Sequence, residues 1–343
     1  MFELVDAEAA LDGRPAPLPQ GIAAAAALLA GAAAPVIAGL RTDAAGAVAA
    51  VALARRLGAV LDHAESEAVL RDLDAMRIGG WIVTTPAQAR AFADLVLIVG
   101  DPAPDVLAAL ALERPPMLDA EQRPRRVLRL AAGETLAVRL GLLRALAKRR
   151  EVAAPHDLVT LAEALAGARY GVVVWSAAQL SSLAIEMLCG LIEDLSAATR
   201  YAGLPLPAPG NAAGVAQALG WETGFPFRIA FRDGMPRHDP VHYEATRMVA
   251  SGEADAVLWL DALGGGPPPW RKQVRLVALA PPGTRFADPP EVALAVGRPG
   301  IDHAGALFHP VAAAVLAALP TAPLPRPTAA DLLGRIQAAL PAC

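Results

Sequence analysis

The sequence predicts an α/β protein with doubly wound, mostly parallel sheets in two lobes. Three observations predict it. Short runs such as PVIAGL (35–40), DLVLIVG (94–100) and GVVVWS (171–176) are apolar almost throughout instead of alternating with polar residues. Strands buried on both faces read this way, and helix-covered parallel sheets supply them. Ala/Leu-rich helical stretches separate the runs, the alternation expected of doubly wound folds. Finally, 343 residues at 55% hydrophobic content are enough for more than one core.

In chain order, PVIAGL leads into DAAGAVAAVALARRLG, an amphipathic helix stopped by Gly58. WIVTT (81–85) is expected as a strand leading through Pro86 into AQARAFA, with Thr85 as N-cap. A long helix is expected from about 177 to 199, with Ser176, Ser181 and Ser182 as cap and turn residues. FRIAF (227–231), ADAVLWL (254–260), VRLVALA (274–280) and EVALAV (291–296) complete the strands. The residues 113–126 read as a link, and LPLPAPGN (204–211) and GGGPPPW (264–270) as loops, the glycine-rich one mobile. The expected division is an N-terminal extension or helix over 1–34, a first α/β lobe over 35–205, and a second lobe with the C-terminal segment over 206–343.

Composition narrows the function classes. Net charge is −4, and Lys and Arg are scattered apart from Arg123–Arg126 and Lys148–Arg150, so no basic stripe for nucleic acid exists. The run IAAAAALLAGAAAP is too short to span a bilayer, and the acidic start lacks the basic opening of a secretory signal. Two cysteines, Cys189 and Cys343, make neither a disulfide framework nor a metal cluster. A cytoplasmic protein with no membrane contact is expected. A mean hydropathy of +0.40 without a span predicts a surface partly covered by partner chains.

Tests for chemistry fail one by one. No glycine-rich phosphate loop follows a strand. His238 and His242 are spaced like metal ligands, but Asp239-Pro240 between them reads as a helix start. Asp302, His303 and His309 could form an acid–base pair, yet read better as a turn capping a helix that starts near Pro310. No G-x-S-x-G elbow surrounds a serine. No catalytic, cofactor-binding or metal residue is therefore assigned.

One segment stands apart in aromatic, proline and glycine content: GNAAGVAQALGWETGFPFRIAFRDGMPRHDP (210–240), followed by ASGEADAVLWLDA. It resembles the B subunit of formylmethanofuran dehydrogenase. Gly210, Asn211, Gly214, Trp221, Thr223, Gly224, Phe225, Pro226, Phe227, Gly234, Pro236, Pro240, Gly252, Glu253, Asp255 and Ala256 fall on that family's motif in order. FADLVLIVGDPAPD (92–105) and the tail from GRPGIDHAG also resemble family segments, with Asp302 in a Glu place and Gly305 kept. The resemblance implies a molybdopterin-oxidoreductase-like fold without its iron–sulfur domain. That family carries a cysteine cluster for a [4Fe–4S] centre and a Cys–His pair beside a tungsten or molybdenum pterin. Here no cysteine precedes Cys189, and the ligating Cys would fall near Ala68. Both cofactor sites are expected to be lost.

Among relatives, the B subunit of the bacterial formyltransferase/hydrolase complex has this character. The resemblance implies a non-catalytic structural subunit. Its partners would be an amidohydrolase-like A subunit that hydrolyses, a formyltransferase D subunit and a C subunit. Trp221, Thr223, Gly224, Phe225, Pro226, Gly234 and Pro236 would be a residual motif serving packing or subunit contact. Two other functions remain open from sequence. One is an active pterin oxidoreductase with a non-thiolate ligand such as His63 or Ser66. The other is a module binding the methanofuran-like carrier through Arg228, Arg232 and Arg237.

Overall fold

The structure is a computed structural model and describes residues 2–4, 8–118, 124–270 and 273–342. Residues 119–123 of the expected link, which include Arg123, and Cys343 lie outside the described residues. The chain forms two compact units. The first comprises Met1–Ser66, Pro209–Phe308 and Val315–Cys343; the second comprises Glu67–Ala208 and His309–Ala314.

This division differs from two consecutive lobes, and strand pairing gives the reason. In the first unit, Pro35–Arg41 lies parallel to Ala256–Asp261, with Val36 opposite Val257, so residues 35–66 belong with the later half of the chain. Nor is 1–34 an appendage. Ala9–Leu11 pairs antiparallel with Val292–Ala295, and helix Leu18–Ala30 follows. Gly21 on that helix comes so close to the sheet that a Cβ would sit 2.7 Å from that of Ala9.

Among the described residues, the first unit holds a nine-stranded sheet. Its order is Arg237–His238, Ile229–Ala230, Val60–Leu61, Pro35–Arg41, Ala256–Asp261, Arg275–Ala280, Val292–Ala295, Ala9–Leu11 and Arg14–Ala16. The five central strands run parallel and the outer ones antiparallel. Helix Ala44–Leu57 starts on Asp43, whose side chain accepts from Gly46 N, and stops at left-handed Gly58. Helix Ala329–Ala338 starts on a capping box of Thr328 and Asp331.

The second unit holds a four-stranded parallel sheet: Arg126–Leu130, Leu95–Val99, Tyr170–Trp175 and Arg200–Pro205. Alternate residues enter two separate cores. Leu95, Leu97 and Val99 pack with Leu140 and Leu188, whereas Val96 and Ile98 pack with Ala89 and Leu110. Burial on both faces is why this strand reads as an unbroken apolar run.

Several local expectations are corrected. WIVTT forms no strand; it makes one bridge, Val83 to Gly203, with Gly203 N donating to Ile82 O and Thr84 N to Gly203 O. The long helix begins at Ser182, because Ser181 caps it by accepting from Ala184 N after a short 3₁₀ turn. No helix begins near Pro310: Gly305–His309 and Ala314–Ala318 form a two-stranded sheet, tertiary pairing overriding alanine's helical preference. Within the basic run, Arg125 is buried and donates to the carbonyls of Ala89, Arg90, Ala93 and Leu112, closing the end of helix Pro86–Phe92. No helix of the described residues is long and apolar enough to cross a membrane.

Candidate functional site

In an open parallel sheet, ligands bind beyond the carboxyl ends of the strands where the winding reverses. The first unit has one such point. From Pro35–Arg41 the chain moves to Val60–Leu61 on one side, and from Ala256–Asp261 to Arg275–Ala280 on the other. The strand end there is strongly bent. Gly39 and Leu40 both have positive φ, 82° and 50°, and the register shifts between Trp259 and Asp261. A Cβ on Gly39 would stand 2.7 Å from Leu260 O.

The chain's own side chains occupy this edge. The N-terminus of helix Ala44–Leu57 would attract an anion, but the Asp43 carboxylate already accepts from Gly46 N at 3.0 Å and from the Thr42 hydroxyl at 3.4 Å. Arg41 donates to Glu65 Oε1 at 2.8 Å and passes so close to Gly210 and Gly265 that a Cβ on either would clash with it. Asp261 is fully buried and accepts from Leu263 N, Gly265 N and Gly266 N; Trp259 Nε1 donates to Gly266 O. The glycine-rich loop, expected to be mobile, is thus ordered around one carboxylate.

His63 and Asp62 follow Val60–Leu61 directly. His63 Nδ1 accepts from Glu65 N at 2.9 Å, which leaves Nε2 as the donor to Gly210 O at 3.1 Å. Burial lowers its pKa to about 3, so the ring stays neutral with both nitrogens committed. Burial raises the Asp62 carboxyl to about 6, opposed by its bond from Ala245 N at 2.9 Å. Arg228, at positive φ, is buried beside Ser66 and donates to Pro240 O.

The Gly-Asn-x-x-Gly motif has a local explanation. Asn211 Nδ2 donates to Thr42 O at 2.8 Å, and Oδ1 accepts from Phe308 N at 2.8 Å. The side chain lies over Gly214, where a Cβ would be 2.4 Å from Oδ1. Asp302 accepts from Arg298 N at 2.8 Å, and Gly305 is needed because a Cβ would meet Pro299 at 2.6 Å.

The aromatic segment separates into core and surface. Phe227 and Phe231 are buried, and Phe227 contacts the His63 ring at 5.1 Å. Phe225 stacks on His238 at 5.5 Å. Thr223 donates to Leu219 O at 2.7 Å, ending helix Ala212–Thr223, and left-handed Gly224 caps it. Pro226 and Pro236 are half-buried and Gly234 turns at φ 78°. Trp221 is 83% exposed.

Other residues singled out by the sequence have ordinary partners. His238 Nδ1 bonds Phe227 O, His242 pairs with Asp239, and His309 Nδ1 accepts from Ala312 N. Arg237 pairs with Asp233. Arg228 is buried and engaged, which removes it from a surface that could meet a carrier's carboxylates. Ala68 lies in the core of the second unit with no ligating atom. Among the described residues, no three His, Cys, Asp or Glu are grouped to hold a metal ion. Sequence reasoning missed Arg41, Asp43, Asp62 and Asp261; the available signal was a charged residue directly after an apolar strand.

No family model matches the chain. It is 34% identical over 347 aligned positions to the B subunit of the formyltransferase/hydrolase complex Fhc of Methylorubrum extorquens, covering 95% of this chain and 96% of that protein. It is 35% identical over 74 residues to the B subunit of tungsten-containing formylmethanofuran dehydrogenase 2 of Methanocaldococcus jannaschii, covering 22% of this chain and 17% of that protein. Among solved structures, it is similar to a chain in the crystal structure of the FhcABCD complex from Methylorubrum extorquens with methylofuran. The TM-score is 0.88 at 34% identity, covering 96% of this chain and 98% of that one. Fold, motif and near-full-length identity together place the chain in the family of Fhc B subunits of the formyltransferase/hydrolase complex.

Proposed function

We propose that this chain is a non-catalytic structural subunit of a formyltransferase/hydrolase complex. The complex would transfer a formyl group from formyl-tetrahydromethanopterin to a methanofuran analogue and release formate. Transfer would belong to its D subunit and hydrolysis to its amidohydrolase-like A subunit, with a C subunit completing the assembly. The fold would be that of a molybdopterin oxidoreductase whose tungsten or molybdenum pterin and [4Fe–4S] sites are gone.

One observation carries this reading: the polar side chains at the carboxyl edge of the nine-stranded sheet are bonded to the chain itself. A metal ligand needs a free lone pair, and His63 uses its Nδ1 lone pair on Glu65 N–H. Asp62 accepts from Ala245 N on one carboxylate oxygen and faces the Arg228 guanidinium at 3.8 Å with the other, and Ala68 offers a methyl group. These residues do not fit a soft metal with thiolate ligation. The 83% exposure of Trp221 suits a subunit contact, since such rings anchor interfaces.

The test is purification from the native host with metal analysis on the same sample. The expected result is co-eluting amidohydrolase-like and formyltransferase chains, with no tungsten, molybdenum or iron bound to this chain. Stoichiometric tungsten or molybdenum on it would overturn the reading. Trp221→Ser is expected to leave the isolated chain's stability unchanged within about 0.5 kcal/mol and to reduce the co-eluting partners.

A further inference from the structure

The second unit contains an open pocket of about 420 Å³ that the proposed role does not use. Its apolar wall includes Ile78, Trp81, Ile82 and Met187. Helices Leu136–Ala147 and Ser182–Ser196 bring Arg144 into it, lying flat on Gly190, where a Cβ would be 2.3 Å from the guanidinium carbon. Arg144 Nε donates to Asp194 at 2.8 Å, and Lys148 Nζ meets the other oxygen of the same carboxylate at 2.8 Å. Two cations thus share one carboxylate, which takes up the Nε side of Arg144 and leaves its outer nitrogens to other acceptors.

Two donors here are unspent. The terminal nitrogens of Arg144 have no oxygen acceptor among the described residues; Nη1 touches only the Met187 sulfur, at 3.8 Å. The indole N–H of Trp81 is buried without a partner. The Arg144 side chain is 26% exposed and so can be reached from outside, and a guanidinium fork matches a carboxylate's two oxygens. Glu186 and Glu193 line the same pocket and weigh against any negative charge set away from Arg144, so the one place left for a carboxylate is on the Arg144 fork itself. Cys189 on the same wall is a thiol pushed up to about 11 by burial, so it serves as apolar surface and not as a nucleophile.

We propose that this pocket binds a small organic monocarboxylate: its carboxylate on the outer nitrogens of Arg144 and its aromatic or branched aliphatic body against Trp81, Ile82 and Met187. A volume of this size is in the usual range for small-molecule sites.

The experiment is calorimetric titration of the full chain with 4-phenylbutyrate, its amide and phenylsuccinate. Saturable binding of the monoacid is expected, at least about tenfold tighter than the amide or the diacid. Arg144→Gln should weaken the monoacid by at least about tenfold and leave the amide unchanged. Ile82→Glu, on the exposed rim, should weaken it without disturbing the fold, with circular dichroism of both variants as the check. No binding of the monoacid at millimolar concentration, equal binding of the amide, or full affinity in folded Arg144→Gln would each overturn the proposal.

Discussion

Asn211 combines a backbone and a side-chain role at one position. It stands at φ 59°, where non-glycine residues are strained, and its amide ties the loops of Thr42 and Phe308 together. Asn211→Ala keeps the strain and loses both bonds, so it should destabilise the chain by about 2–3 kcal/mol in urea unfolding. Asn211→Gly loses the same bonds but relieves the backbone, and should cost about 1 kcal/mol less. Asp62 and His63 make opposed contributions to pH dependence. The depressed His63 pKa, about 3 in the fold against 6.5, means that the unfolded chain binds the extra proton, so stability falls as pH drops from 6.5 towards 3. The raised Asp62 pKa, about 6 against 3.8, works in reverse: its contribution is full below 3.8 and is lost as pH rises through 6. Between pH 4 and 6 the two offset each other. Asp62→Asn removes one side of that balance. Its stability should fall on acidification over this window by up to about 1.4 kcal/mol per pH unit more than the natural chain's, measured by denaturation at a series of pH values.

At the scale of elements, caps and packing faces decide what could be read beforehand. Helix Ala329–Ala338 depends on the reciprocal bonds of Thr328 and Asp331, so Thr328→Ala should cost about 1 kcal/mol of thermal or urea stability. The strands Leu95–Val99, Tyr170–Trp175 and Ala256–Asp261 were legible because burial on both faces leaves unbroken apolar runs. Arg126–Leu130 was not, because at the sheet edge it carries Arg126 and Arg129 outward. Ala9–Leu11 is too short for any period to show, and Ala314–Ala318 is alanine-rich, so pairing and not propensity makes it a strand. In the candidate site, Gly210, Asn211 and Gly214 stood out as a motif. Asp43 and Asp62 did not, since a lone acid after a strand looks like any helix cap until the fold shows what it fills.

Over the whole molecule, the sequence order of strands is not their order in space. The chain leaves the first unit after Ser66 and re-enters it at Pro209. A fragment of residues 67–208 should fold with a cooperative thermal transition by circular dichroism, because it contains the entire four-stranded sheet. A fragment of residues 1–205 should instead leave its first 66 residues open to proteolysis, since Pro35–Arg41 would lack Ala256–Asp261. The bond from His63 Nε2 to Gly210 O has a consequence here. It ties together, at 3.1 Å, the chain just before it departs and just after it comes back. The ends of a 142-residue excursion (67 through 208) are therefore held side by side like the two posts of a doorway. The entropy cost of holding such ends together grows only with the logarithm of loop length, about 0.6 kcal/mol per doubling, so changes in the length of the excursion cost the first unit little. In sequence, residues 67–208 are an insertion between two parts of the first unit, so shortening or lengthening them is expected to leave the pairing of Pro35–Arg41 with Ala256–Asp261 in register.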